Sequence, residues 1–149
     1  MEERFWSKVN KTDTCWLWTA GRDKRGYGRF RNAEGKVERA HAVAYKMLVG
    51  PVPPKHEVDH RCHNKACVRP DHLRAATRKQ NMENLKGPQR NNKSGFLGVS
   101  LHKPTGKWVG QVTHNRKVHY CGLHGTPDLA NAAVVQRRLE LYTHNDQDR

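Results

Sequence analysis

The stretch that decides the fold reads Asp59-His60-Arg61-Cys62-His63-Asn64-Lys65-Ala66-Cys67-Val68-Arg69-Pro70-Asp71-His72-Leu73. Its two thiols lie five residues apart, and a histidine follows five residues later. A loop of this length is too short to fold around a hydrophobic core, but its side chains can reach one tetrahedral ion. The spacing therefore predicts a structural zinc site with Cys62, Cys67 and His72 among its ligands.

Composition indicates a small protein with an anionic partner. Only 35% of the 149 residues are hydrophobic, which favours one or two small domains over a single large core. Lysine and arginine number 28 against 14 acidic residues, a net charge of +14. The bias is strongest between Arg78 and Lys117, where nine basic residues accompany one acid, Glu83. This segment is expected to neutralise phosphates, although a solvated surface is the alternative.

Neither a membrane nor an oxidising compartment is expected. No apolar run approaches the roughly 20 residues of a membrane-spanning helix, and the segment Met1–Arg4 lacks the apolar part of a signal peptide. Three of the four cysteines stand in a metal-like arrangement with histidine, which fits a reducing compartment. We therefore expect a soluble, cytoplasmic protein with no membrane partner and no small-molecule substrate.

The segments before and after the Cys/His loop predict a mixed first module. A strand-like run starts at Cys15, and residues 26–31 and 37–39 form a hairpin, so this sheet would carry Cys15 to the metal. A helix is expected over Ala40–Leu48, ended by Gly50 and a proline cluster. A further helix is expected over Thr77–Leu85, with Thr77 as its N-cap and Gly87-Pro88 as its stop.

A second module is expected after a linker at residues 87–95, which has almost no apolar content. Three strands at 98–102, 107–113 and 117–121 precede a helix that begins at Thr126. Alternation directs one set of side chains to the helix and the other outward. The inward set is Val99, Leu101, Trp108, Gly110 and Val112, and the outward set is Ser100, His102, Gln111 and Thr113. The register of the third strand stays open, with Tyr120 favoured on the outward side.

Side chains suited to phosphodiester hydrolysis lie beside the Cys/His loop. His60 can take a proton from water because the ordinary pKa of histidine lies near neutrality. Asp59 and Asn81 offer the oxygen donors that magnesium prefers. Together they supply the base and the metal ligands of a one-metal nuclease. Taken alone, the Asp-His pair is more often an ordinary surface turn, and the neighbouring ligand residues reverse that interpretation.

Several motifs follow one another between residues 4 and 85: Arg4-Phe5-Trp6, Cys15-Trp16-Leu17-Trp18, Gly26-Tyr27-Gly28-Arg29-Phe30, Arg39-Ala40-His41, Asp59-His60, Cys62, Cys67, Pro70-Asp71-His72-Leu73 and Asn81. In this order they resemble the phage HNH homing endonucleases, which share a ββα-metal arrangement with the His-Cys box enzymes. The resemblance implies that His60 is the general base and that Asn81 and Asp59 hold a catalytic Mg²⁺ or Mn²⁺. It also implies a structural Zn²⁺ held by Cys15, Cys62, Cys67 and His72.

Arg69 departs from the family, which normally has asparagine between Cys-Val and Pro. That asparagine orients the loop through bonds to the backbone, so its replacement is expected to loosen the presentation of His60 unless Asn64 substitutes. We interpret His63 as a surface or DNA-facing residue and His41 as a packed or second-layer residue.

The second module carries Ser94-Gly95, Gly98-Val99-Ser100, Gly106-Lys107-Trp108-Val109, Cys121-Gly122, Thr126 and Ala132-Ala133. These resemble the APETALA-type DNA-binding domain of plant ethylene-response factors, which is also appended to phage HNH endonucleases. The resemblance implies a three-stranded sheet in the major groove with one helix behind it. The residues expected to contact DNA are Arg29, Arg78, Lys79, Lys93, Ser100, His102, Lys103, Lys107, Gln111, Thr113, Lys117 and Tyr120.

The resulting expectation is an α+β protein with an HNH nuclease domain at 1–86, a linker at 87–95, a DNA-binding domain at 96–143 and a tail at 144–149. Its function would be site-directed cleavage of double-stranded DNA, as in homing endonucleases. Two alternatives stay open. One is a DNA-binding regulator with weak or no cleavage, and the other is a phage DNA-processing nuclease of low specificity.

Overall fold

A computed structural model describes residues 1–84 and 87–148. Two compact units divide the chain, the first covering Met1–Lys79 and the second beginning at Gln80. This division falls before the predicted linker at 87–95, and the predicted domain limit at residue 86 lies outside the described residues. The reason lies in the C-terminal segment, where the Thr143 amide donates to the Glu83 carboxylate at 3.1 Å and the Asp146 amide to Asn84 Oδ1 at 3.2 Å.

The first unit consists of short antiparallel hairpins around helix α2. Its elements are α1 (Glu2–Trp6), β1 (Val9–Lys11), β2 (Trp16–Trp18), β3 (Arg29–Arg31), β4 (Val37–Arg39), α2 (Ala40–Leu48), β5 (His56–His60) and β6 (Leu73–Thr77). β1 pairs with β2, β3 with β4 and β5 with β6. Helix α2 matches its predicted limits, because Gly50 and the prolines after it end the helix where the sequence indicates.

The core of the first unit is aromatic. Phe5 and Trp18 are fully buried with ring centroids 5.0 Å apart, and Phe30 packs edge-on against Phe5. Gly28 allows the backbone to approach this core, because a Cβ there would lie 2.6 Å from the Trp18 ring. Val68, from the Cys/His loop, is also buried in the cluster. The loop is therefore anchored by packing as well as by its polar residues.

Helix α3 (Arg78–Glu83) follows β6 directly, so it begins one residue after the predicted cap at Thr77. The predicted end of this helix at Leu85 lies outside the described residues. The unit boundary runs through α3, which places Arg78 and Lys79 in the first unit and Asn81 in the second.

The second unit has a three-stranded antiparallel sheet in the order β7 (Val99–His102), β8 (Lys107–His114), β9 (Lys117–His124). Helix α4 (Pro127–Leu141) begins at Thr126, whose hydroxyl accepts the Leu129 amide at 3.3 Å. The helix lies close to the sheet at Gly110, where a Cβ would be 2.9 Å from the Val134 side chain.

Two expectations for this unit differ from the structure. Leu101 was expected to pack on the helix but is 49% exposed, because α4 covers Val99 and Val112 and Leu101 lies beyond that cluster. Part of the predicted tail is also packed. Asn145 is fully buried, and Asp148, in a short 3-10 turn, pairs with Arg138 at 2.7 Å.

Candidate metal centre and active site

Four predicted zinc ligands converge in the first unit. Cys15 immediately precedes β2, Cys62 and Cys67 lie in the loop between β5 and β6, and His72 ends a 3-10 turn before β6. His72 Nδ1 lies 3.6 Å from Cys15 Sγ and 3.5 Å from Cys67 Sγ. All four ligand atoms lie within 4.8 Å of one another.

These distances fit a tetrahedral zinc ion. Zinc bonds of about 2.3 Å to sulfur and about 2.1 Å to nitrogen place the two ligand types about 3.6 Å apart at the tetrahedral angle. The measured sulfur to nitrogen distances of 3.5 and 3.6 Å agree with this value. Three thiols and one imidazole form a closed Cys₃His set, which is the composition of structural sites. His63, next to Cys62, is not among the four ligands that converge.

Thiol acidity supports cation binding at the cluster. A hydrogen bond from Cys62 lowers the pKa of the Cys67 thiol to about 4, although burial opposes the shift. The same contact raises the pKa of Cys62, and burial raises the pKa of Cys15. One thiolate is thus favoured before any metal is bound, and the charge of a cation would favour the other two.

Backbone pairing brings the remote Cys15 to the loop. The Trp18 amide donates to the Ala66 carbonyl and the Val68 amide to the Trp16 carbonyl, both at 2.8 Å. Within the loop, Asn64 Oδ1 accepts the Ala66 amide at 3.1 Å. The cluster therefore depends on a strand-to-loop contact that joins residues about fifty positions apart.

Arg69 bridges the two segments that carry the cysteines. Its Nη1 donates to the carbonyls of Asp13 and Thr14 at 2.8 and 2.6 Å, and its Nη2 pairs with Asp71 at 3.1 Å. The sequence predicted a looser loop from the loss of the usual asparagine. In the structure the longer arginine instead reaches backbone carbonyls that an asparagine side chain at this position would be too short to approach.

His60 is buried and oriented by the same loop. It ends β5 with 6% of its surface exposed, and its Nε2 lies 3.0 Å from the Cys67 carbonyl oxygen. Because a carbonyl can only accept, Nε2 carries the proton of the neutral ring and Nδ1 carries the lone pair. Burial lowers the pKa of His60, so the ring is neutral near pH 7. A neutral imidazole of fixed tautomer is suited to accept a proton.

Asp59 lies in a different environment from its neighbour. Consecutive strand residues point to opposite faces, and Asp59 faces its cross-strand partner Arg74. The Arg74 Nη2 to Asp59 Oδ2 distance is 3.1 Å, and both side chains are 11% exposed. Asn81, the other predicted ligand of the catalytic ion, lies on α3 in the second unit.

Sequence reasoning missed the direct contact of His41 with the candidate base. His41 is 3% exposed on α2, and its ring centroid lies 4.4 Å from that of His60. Tyr27 completes the cluster, at 5.4 Å from His41 and 6.0 Å from His60. Burial lowers the pKa of His41 to about 3. The motifs containing Tyr27 and His41 drew attention in the sequence, but nothing in their spacing indicates that they meet His60.

The predicted DNA contacts are distributed over both units. In the second unit Ser100, Gln111, Thr113 and Tyr120 are exposed, and Gln111 pairs directly with Tyr120, which places these two on one face. His102 is partly exposed, and the exposed lysines of this unit include Lys93, Lys103, Lys107 and Lys117. In the first unit the exposed predicted contacts are Arg29, Arg78 and Lys79. Within residues 1–84 and 87–148, no helix has the length and apolar character that a bilayer crossing requires.

A protein family and several phage proteins are similar to this chain in sequence. Residues 38–83 match the family described as HNH endonuclease. The chain is 35% identical to Protein 7.7 of Escherichia phage T7 over 89 residues, which cover 60% of this chain and 68% of that protein. It is 36% identical to Protein 3.8 of the same phage over 84 residues, covering 56% and 69%. It is also 28% identical to the phage's Protein 2.8 over 95 residues, covering 62% and 65%.

No solved structure matches the chain significantly. The matched segment 38–83 contains β5, the Cys/His loop, β6 and α3, and thus His60 with three of the four converging ligands. The chain therefore belongs to the family of phage proteins that includes Protein 7.7 and Protein 3.8 of phage T7, and its residues 38–83 match the HNH endonuclease family.

Proposed function

We propose that this protein is a metal-dependent DNA endonuclease that hydrolyses phosphodiester bonds with His60 as general base. The observation that carries the proposal is the 3.0 Å hydrogen bond from His60 Nε2 to the Cys67 carbonyl, inside the matched HNH segment. It leaves the lone pair on Nδ1, and burial keeps the ring neutral. A water molecule beside a scissile phosphate would then lose its proton to Nδ1.

The order β5, β6, α3 supports a ββα-metal arrangement, in which zinc and the catalytic ion have separate tasks. The Cys₃His set is closed, so we assign zinc to stabilising the loop that carries the Cys67 carbonyl. A bound Mg²⁺ or Mn²⁺ would stabilise the charge on the leaving oxygen. Asp59 would hold this ion, and Asn81 is proposed as its second ligand only because of the resemblance to HNH homing endonucleases. Measuring the cleavage activity of Asn81→Ala as a function of magnesium concentration tests whether Asn81 is the second ligand of this ion.

Plasmid cleavage by zinc-loaded protein, with and without added Mg²⁺ or Mn²⁺, tests the proposal. His60→Gln should lower the cleavage rate by about 10² to 10⁴, the usual contribution of a positioned base. His56→Gln is the matched control, because His56 lies on the same strand but is only partly buried. Full activity of His60→Gln, with His56→Gln equally active, would remove His60 from the reaction.

A DNA-binding regulator without cleavage is favoured by one specific observation. The Arg74 guanidinium occupies Asp59 Oδ2 with both Nε and Nη2, at 3.2 and 3.1 Å, and would compete with a metal ion for that oxygen. The two functions differ in a direct measurement. A nuclease cuts when magnesium or manganese is added, whereas the regulator binds DNA and leaves the plasmid intact under the same conditions.

We further propose that the second unit directs the nuclease to its site, as the resemblance to APETALA-type domains implies. The exposed pair Gln111 and Tyr120 on neighbouring strands supports a DNA-contacting sheet face. Cleavage of the native flanking sequence in preference to random duplex would indicate the homing type. Equal cleavage of both would indicate a DNA-processing nuclease of low specificity. In either case the T7 relatives favour action in the cytoplasm of an infected host.

A further inference from the structure

The β3–β4 hairpin of the first unit has a strongly positive outer surface. Arg29 and Arg31 are exposed on either side of the buried Phe30, and Arg39 lies directly opposite Arg29 on β4. An open pocket of about 300 Å³ on this surface is lined by Gly21, Arg22, Arg29, Arg31 and Val37. We call the surface formed by Arg22, Arg29, Arg31 and Arg39 the arginine face.

The arginine face carries charge that the described residues neutralise only in part, since Asp23 interacts electrostatically with Arg39. Within residues 1–84 and 87–148, the guanidinium groups of Arg29 and Arg31 make no ion pair or hydrogen bond. Arg22 donates to the Trp18 carbonyl at 2.9 Å, so its partner is a neutral oxygen. Like charges directly opposite in a hairpin, such as Arg29 and Arg39, destabilise the pair. An anionic ligand bound between the two arginines would offset this repulsion.

Contacts lead from this face to the candidate base. The Arg39 guanidinium lies 4.5 Å from the centre of the Tyr27 ring, and Tyr27 lies 6.0 Å from His60. All of these residues belong to the first unit. A polyanion bound to the arginine face would therefore run close to the residue that we assign to proton transfer.

We propose that the arginine face binds phosphate groups of duplex DNA, which gives the nuclease unit a substrate contact of its own beside the second unit's sheet. The inference rests on the proposed DNA substrate and adds the surface that holds it. Arginine suits this task because its planar fork donates two parallel hydrogen bonds to a phosphate. The pocket between Arg22, Arg29 and Arg31 allows donors to approach one phosphate from several sides.

The test measures binding of the full zinc-loaded chain to a duplex of random sequence as a function of salt, without added magnesium or manganese. Arg29→Gln/Arg31→Gln should reduce the slope of log K against log salt concentration by about 1.8, since each lost phosphate contact contributes about 0.9. Lys24→Gln/Lys55→Gln is the matched control, because both lysines are exposed in the same unit and the same charge is removed. The control should keep the parent slope.

Equal slope reductions in both double variants would overturn the inference, because net charge alone would explain them. Arg29→Lys/Arg31→Lys should restore the parent slope, because the slope depends on the positive charges placed at phosphates, and failure to do so would contradict phosphate contacts at these two positions. The midpoint of thermal unfolding should not fall in the glutamine variant, since a cross-strand repulsion is removed. Binding is measured without cleavage, so a protein that never cuts DNA but shows the slope change would refute only the nuclease assignment.

Discussion

Burial of His41 predicts that mild acid lowers the free energy of unfolding of the first unit. Its pKa is 6.5 when unfolded and about 3 in the folded state, chiefly because burial opposes the charged ring. Between these values the unfolded chain binds a proton that the folded chain does not. The free energy of unfolding therefore rises with pH in this range and falls as the solution is acidified below pH 6.5.

The two pKa values give the size of the effect. At pH 7 most unfolded molecules carry a neutral His41, so little stability is lost, whereas at pH 5 nearly all carry the proton. Integrating the proton uptake of the unfolded state from pH 7 to pH 5 gives a loss of about 2 kcal/mol from this residue alone. The lowered pKa of His60 acts in the same direction and is retained when only His41 is changed.

The perturbation is His41→Gln, which keeps a polar side chain at this buried position but has no titratable group. Urea unfolding at pH 7 and pH 5, with excess zinc, is followed by fluorescence in a Trp108→Phe background. The remaining tryptophans, Trp6, Trp16 and Trp18, then all report on the first unit. The difference in stability between the two pH values should be about 2 kcal/mol smaller in His41→Gln than in the parent.

His56→Gln serves as the control for this measurement, because His56 is partly exposed at the start of β5. It should leave the pH dependence of the parent unchanged. If His41→Gln loses as much stability as the parent between pH 7 and pH 5, then His41 is not held neutral by burial. The interpretation of His41 as a buried, neutral packing partner of His60 would be wrong in that case.

Three further predictions concern the metal site and the second unit. The Cys67→Ser variant should contain no zinc in elemental analysis and should have an unfolded first unit, because zinc binding energy of roughly 10 kcal/mol is also folding energy. The control variant Cys121→Ser, whose cysteine lies outside the cluster, should keep one zinc per chain. Zinc retained by both variants would contradict the assignment. The Arg69→Ala variant should lose zinc to a chelator more readily and should be less stable by about 1 to 3 kcal/mol, because the Asp13 and Thr14 carbonyls lose a charged donor. Unchanged zinc retention would show that the zinc site does not need these two hydrogen bonds. The Asp148→Asn variant should lower the stability of the second unit by about 3 to 5 kcal/mol, since Arg138 would stay buried without its anionic partner. A variant as stable as the parent would show that the ion pair between Arg138 and Asp148 does not hold the C-terminal segment.

The local sequence pattern determined most secondary-structure elements and three of the zinc ligands. Helix α2 and the strands of the second unit follow from the short-range pattern of apolar residues, glycines and prolines, which acts over a few positions. The same holds for Cys62, Cys67 and His72, because a loop of fixed length restricts how far apart they can lie. The basic composition likewise indicated an anionic partner without any structural knowledge.

Tertiary structure decided what depends on register and on contacts between distant segments. The Arg69 bonds to Asp13 and Thr14, the Asp59 to Arg74 pair and the packing of His41 against His60 join residues from 15 to 56 positions apart. No periodicity encodes such contacts, because they require the direction of each side chain and the pairing of each strand to be fixed first. For the same reason the sequence placed residues 144–149 in a tail, whereas in the described part of that segment Asn145 is buried and Asp148 forms an ion pair with Arg138 of helix α4.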